Sequence, residues 1–131
     1  MRQRQRGRLL FVSSAGGRTP LPGNAAYAAT KWALEAFAET LAIELADFGI
    51  DVTIAQLGPV SSGALDDMLA YRLPDDPYAA LLAGGFPPEV MMTPEQVATI
   101  LADLAEQPSV PLRVPVGPVA EHIIAARDRA P

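Results

Sequence analysis

The sequence predicts an α/β fold built on a parallel sheet, and three observations lead there. Two short apolar runs rich in strand formers, Arg8 to Ser13 and Ile50 to Leu57, flank a stretch of helical periodicity from about Ala25 to Asp47. A strand, a helix of several turns and a second strand make a right-handed parallel crossover unit. A second helix start follows at Thr93-Pro94-Glu95-Gln96, where the spacing is that of a capping box with proline at the first helical position. Half of the 131 residues are apolar and 19% are charged, which suits one domain with a modest core.

The run from Arg8 to Ser13 is apolar enough for a strand buried on both faces. It stops at Ser14-Ala15-Gly16-Gly17, and Pro20, Pro22 and Gly23 keep the chain in a loop as far as Asn24. Leu34, Phe37, Leu41 and Leu45 then recur at three- and four-residue spacings, and Gly49 is the expected stop. Ile50 to Leu57 has β-branched residues at alternate positions. Gly58-Pro59 ends it. From Val60 to Pro88 the prolines and glycines break up short apolar clusters, and a short helix near Ala64 to Tyr71 inside a mobile loop is expected. The capped helix should run to about Glu106, followed by a short strand near Leu112 to Val116 and a polar-ended tail.

Composition excludes several classes of function. A net charge of −5 disfavours a general nucleic-acid binder, which needs clustered cations to displace counterions. The exception is Arg2, Arg4, Arg6 and Arg8, which form either a solvated basic tip or an anion patch. With no cysteine there is no disulfide, thiolate metal site or thiol nucleophile, and no metal site is expected. No apolar run is long enough to span a membrane, and the first residues lack the apolar core of a secretion signal. A cytoplasmic protein is expected.

Tyr27 and Lys31 lie four residues apart at the start of the long helix, so they project from one face, one turn apart. A free phenol is protonated at neutral pH, and a nearby ammonium favours its anion, so the pair suits proton transfer to or from an alcohol. Lys31 is the only lysine. Ser14 ends the first strand, and ligands in parallel sheets bind at the carboxyl ends of strands. Ser14, Tyr27 and Lys31 can therefore meet at one edge of the sheet.

These residues resemble a known family. Gly7-Arg-Leu-Leu-Phe-Val-Ser-Ser14-Ala-Gly-Gly, followed by Tyr27-Ala-Ala-Thr-Lys31, is similar to the short-chain dehydrogenase/reductase pattern of a serine after strand five and Tyr-x-x-x-Lys on the next helix. Gln56-Leu57-Gly58-Pro59-Val60-Ser61-Ser62 resembles the Pro-Gly turn of that family, with Leu57 where proline is usual. The likeness runs from about Gly7 to Val116. It implies the C-terminal half of a doubly wound parallel-sheet Rossmann fold, an incomplete domain spanning residues 1–131 without the glycine-rich nucleotide-binding half. It further implies NAD or NADP as cofactor and a small-molecule alcohol or carbonyl as substrate.

Residue by residue, the resemblance makes Tyr27 the acid/base and has Lys31 favour its phenolate while binding the nicotinamide ribose. Ser14 would hold the substrate oxygen. Gly58 and Val60 would lie against the nicotinamide end, and Ser62 would sit near the cofactor phosphates. The reading is an oxidoreductase interconverting an alcohol and a carbonyl, inactive as this stretch alone. A non-enzymatic alternative is a truncated paralogue that acts as an interaction partner through its long helix.

Other residues carry weaker expectations. The long helix is apolar over most of its circumference, with Trp32, Ala33, Phe37 and Ala38 on different faces. Either a homo-oligomer contact in the full-length form or the remainder of the same domain would cover it. A sheet of two or three strands would leave the first strand's edge unpaired, so marginal stability or reliance on a partner is expected. Glu35 and Glu39 read as a solvated stripe, Ser13 as structural, and Gly16 and Gly17 as turn residues. His122 reads as a surface histidine. Met68, Leu69, Tyr71, Tyr78, Leu81, Leu82, Phe86, Met91 and Met92 populate the region where the family places its substrate lid, although ordinary packing explains most of them.

Overall fold

Strand β2 (Ile50–Leu57) runs through the middle of a three-stranded parallel sheet, between β1 (Gly7–Ser14) and β3 (Arg113–Val116). The computed structural model describes residues 1–64, 73–82 and 85–129. β1 and β2 are in continuous register from Gly7 opposite Ile50 to Ser14 opposite Leu57. Val52 through Gln56 are all buried, because β2 is flanked on both sides and covered on both faces.

The connection from β1 to β2 is the helix α1 (Ala25–Leu45). A short 3-10 turn, Ala46–Phe48, continues it, and Gly49 closes it in the left-handed region at φ 61°. On the face of α1 toward the sheet, Ala38 packs with Val52 and Ile54, and Leu41, Ala42 and Leu45 extend the cluster. The opposite face of the sheet is covered by α3 (Pro94–Glu106), whose Leu104 packs with Ala55 and Val116. Helices on both faces of a parallel sheet make the doubly wound arrangement expected from the sequence. Thr93 caps α3 as expected, its hydroxyl accepting from the Gln96 amide while the Gln96 side chain accepts from the Thr93 amide.

The structure departs from the sequence reading at several points. The expected tail is a helix, α4 (Pro118–Asp128), which starts with proline at its first turn after Gly117 at φ 90°. It folds because Ala120 and Ile124, one turn apart, bury against Ala15 at the end of β1. A single turn, α2 (Ala79–Leu82), interrupts the proline-rich segment. The helix expected near Ala64 to Tyr71 falls on residues outside those described, apart from Ala64 itself.

Arg8 is not part of a solvated basic tip. Its guanidinium donates to the carbonyls of Leu104 and Gln107 at the end of α3, at 2.7 and 2.6 Å, and to Asp51 at 3.0 Å. A cation on the last carbonyls of a helix satisfies acceptors that the helix leaves open. β1 is an edge strand, and Val12 on it is exposed. Trp32 and Phe37 are also exposed, so α1 buries one face only among the described residues. His122 is exposed, as expected.

Candidate active site

The carboxyl ends of β1 and β2 lie side by side, with Ser14 opposite Leu57, and each runs directly into a turn. After β1 the turn is a single 3-10 unit, Ala15–Gly17, capped by Ser14, whose Oγ accepts from the Gly16 amide at 3.2 Å. The amino end of α1 returns over this turn. A Cβ placed on Gly16 would lie 3.5 Å from the Tyr27 ring and 3.6 Å from Ser14 Oγ. The hydroxyl of Ser14 and the edge of the Tyr27 ring thus flank the same point above Gly16.

Tyr27 is 47% exposed, so its phenol is open to a substrate and to solvent protons. Lys31, one helical turn later, holds its ammonium 5.8 Å from the centre of the Tyr27 ring, within cation–π range. The same ammonium donates to the carbonyl of Val12 at 3.1 Å, which ties it to β1. Ser14, Tyr27 and Lys31 therefore gather at one end of the sheet, as the spacing in the sequence suggested.

The second turn supplies backbone rather than side chains. Gly58 donates to the Val116 carbonyl at 3.0 Å, and a Cβ on it would sit 3.3 Å from the Ala120 amide nitrogen. Val60 forms an isolated parallel bridge to Met92. Its bonds come from the neighbours of Val60: Met92 donates to Pro59 and Ser61 donates to Met92. In a parallel bridge of this kind the central residue's own N–H and C=O point away from the partner. Ser62 is exposed beside it. The Val60 carbonyl accepts from the Ser62 amide at 3.0 Å and the Gly58 N–H is taken by Val116, so the Val60 N–H and the exposed Ser62 hydroxyl are the groups at this end that could meet the carboxamide and phosphate groups of a nicotinamide dinucleotide.

One expectation fails here. Glu35 is not on a solvated stripe: it is 3% exposed, and its carboxylate accepts from Gln56 Nε2 at 2.7 and 3.0 Å and from Arg113 Nε at 2.9 Å. Glu39, on the next turn, is exposed and accepts from the other arm of Arg113 at 2.9 Å. The hydrogen bond and charge of Arg113 hold the Glu39 carboxyl below its usual range, and the same contacts raise Arg113 above its own. No local pattern announces this network, because Arg113 lies 78 residues from Glu35. Of the residues in the expected lid region, Met92 is engaged in the core beside α3, whereas Tyr78, Leu81 and Phe86 are exposed. Met68, Leu69, Tyr71 and the Leu82 side chain lie outside the described residues.

Comparison with known proteins bears on the family and the fold. The family model described as short chain dehydrogenase matches residues 1–71. Oxidoreductase BOA17 of Botryotinia fuckeliana is 32% identical over 127 residues, covering 92% of this chain and 46% of that protein. Human 17-beta-hydroxysteroid dehydrogenase type 1 is 39% identical over 69 residues, covering 53% of this chain and 21% of its own length. Among solved structures, a short-chain dehydrogenase from Streptomyces avermitilis superposes with a TM-score of 0.76 at 30% identity, over 97% of this chain and 48% of that one. A short chain dehydrogenase from Burkholderia cenocepacia in complex with NADP has the same fold, with a TM-score of 0.67 at 22% identity, over 95% of this chain and 44% of its own. The chain spans at most about half the length of these relatives.

Proposed function

The chain belongs to the short-chain dehydrogenase family, and on that premise we propose that it is the catalytic half of an NAD- or NADP-dependent oxidoreductase interconverting an alcohol and a carbonyl. A glycine-rich nucleotide-binding half would complete the domain. The observation that carries the reading is the meeting of Ser14 Oγ and the Tyr27 ring above Gly16, with the Lys31 ammonium facing that ring.

Each residue has a task that its surroundings support. The Ser14 hydroxyl, whose oxygen already accepts from Gly16, keeps its proton to donate to the substrate oxygen, where charge develops. Tyr27 passes a proton to that oxygen in the reductive direction and removes it in the oxidative one. Lys31 presents a positive charge to the ring and, through Val12, keeps the first turns of α1 against β1. Gly58, Val60 and Ser62, together with Tyr27 and Lys31, would hold the cofactor. When bound, the nicotinamide supplies or accepts the hydride. The exposed apolar side of α1 around Trp32 and Phe37 is available for contact between subunits of the full-length form.

The test is Tyr27→Phe in the protein as purified from its source, assayed by nicotinamide absorbance against a panel of ketones and secondary alcohols. Loss of an acid/base group should lower turnover about 100-fold to 10,000-fold. Turnover that survives the substitution would remove Tyr27 from its assigned role, and no turnover by the parent on any member of the panel would overturn the oxidoreductase reading.

A further inference from the structure

Glu35 is the one carboxylate among the described residues that the fold buries, and it sits one helical turn after Lys31. Tyr27, Lys31, Glu35 and Glu39 form a single stripe with four-residue spacing along α1. The last three of these residues touch successive strands. Lys31 reaches β1 at Val12, Glu35 reaches β2 at Gln56 and β3 at Arg113, and Glu39 reaches Arg113 again. α1 is therefore pinned across the sheet at three points by polar contacts, with apolar packing starting between Glu35 and Glu39 at Ala38 and continuing through Leu41, Ala42 and Leu45.

Glu35 also meets the turn that bears Ser14. A Cβ on Gly17 would lie 3.1 Å from Glu35 Oε1, 2.7 Å from Ser13 Oγ and 3.3 Å from Lys31 Cβ. The absence of a side chain at Gly17 lets the carboxylate seat directly against this turn. Gln56 stands opposite Ser13 in the β1–β2 register, so the residue that holds Glu35 belongs to the strand pair that ends at Ser14.

Stability alone gives little reason for such a network. Removing two charged groups from water costs about as much as their pairing returns, and well-packed apolar replacements are often no less stable. A fixed geometry is what the network supplies. We propose that Glu35, held by Gln56 and Arg113, is a positioning residue that sets the separation between the Ser14 turn and the Tyr27–Lys31 turn of α1. This rests on the oxidoreductase reading above, for which that separation is the distance between the group that holds the substrate oxygen and the group that protonates it. A misplacement near 1 Å can cost about 100-fold in rate.

The experiment compares the parent protein, as purified from its source, with Glu35→Gln and with the triple apolar variant Glu35→Leu/Gln56→Leu/Arg113→Met. The triple variant should melt no lower than the parent, yet lose about 30-fold to 100-fold in kcat, with KM changed less than about threefold. Full kcat in a folded triple variant would overturn the proposal, as would a loss confined to KM. Amide hydrogen exchange on Glu35→Gln gives a second reading that needs neither turnover nor the triple variant. Exchange should quicken about tenfold or more at Ala15–Thr19 and at the first turns of α1, while α3 is unchanged. Uniform quickening, or none, would mean that Glu35 contributes only to general stability. The parent's own assay separates the two claims: if it shows no nicotinamide-dependent turnover while the exchange result holds, the oxidoreductase reading fails and the positioning of the two turns stands.

Discussion

Lys31 donates its ammonium to the carbonyl of Val12 at 3.1 Å, joining the helix of the candidate site to a strand at the sheet's edge. Lys31→Ala removes this tie and the positive charge beside Tyr27 together. Turnover should fall about 100-fold or more. Thermal melting should shift little, because the contact is exposed. Steady-state kinetics and a melting curve on the same sample check both outcomes.

Gly17 has no room for a side chain. In Gly17→Ala the new methyl meets Ser13 Oγ at 2.7 Å and Glu35 Oε1 at 3.1 Å, and both Ser13 and Glu35 are buried. The cost should be about 1 to 3 kcal/mol, the usual penalty of overpacking. Urea unfolding followed by circular dichroism would measure it, and an unchanged midpoint would show that the turn adjusts freely.

Thr93 closes the capping box of α3. Thr93→Ala should destabilise the protein by about 1 kcal/mol, whereas Thr93→Ser, which keeps the acceptor, should cost much less. The comparison of the two midpoints isolates the cap from any effect of side-chain size.

The ion pair of Glu39 with Arg113 predicts an acid-sensitive term in stability. The Arg113 hydrogen bond and charge lower the Glu39 carboxyl from its ordinary 4.5 in the folded state. A depressed folded value means that the unfolded chain binds the proton first, so the contribution is complete above 4.5 and is lost as pH falls through the folded value. Glu39→Gln should therefore narrow the drop in urea midpoint between about pH 5 and about pH 3. An acid limb identical to that of the parent would show that the pair is screened by solvent.

Much of the fold was legible because its signals are local. β-branched runs, the Gly49 stop and the Thr93–Gln96 box each lie within a few residues, and each appears in the structure where the sequence placed it. The gathering of Ser14, Tyr27 and Lys31 was legible for a related reason: one strand end and one helix start determine it. What stayed hidden depends on distant partners. Arg8 finds its carbonyls 96 and 99 residues away, and Arg113 finds Glu35 78 residues away, so neither leaves a periodic trace. The helix α4 was missed although Gly117 and Pro118 announce it, because only Ala120 and Ile124 on it are buried and its ends are polar. Its stability comes from Ala15, a contact that no pattern within the segment reveals.

The buried carboxylate of Glu35 also sets an order on how the chain can assemble during synthesis. It leaves the ribosome before both of its partners, with Gln56 21 residues and Arg113 78 residues further along. Seating α1 on β1 alone would shut an unpaired charge away from water, at a cost on the order of several kcal/mol. The helix must wait, and its final docking is licensed by the arrival of the third strand. Translation halted between Gln56 and Arg113 would yield a chain that carries every residue of the Ser14–Tyr27–Lys31 group but has no settled platform to hold it. The C-terminal third of the sequence thus acts as a completeness check on the part that precedes it.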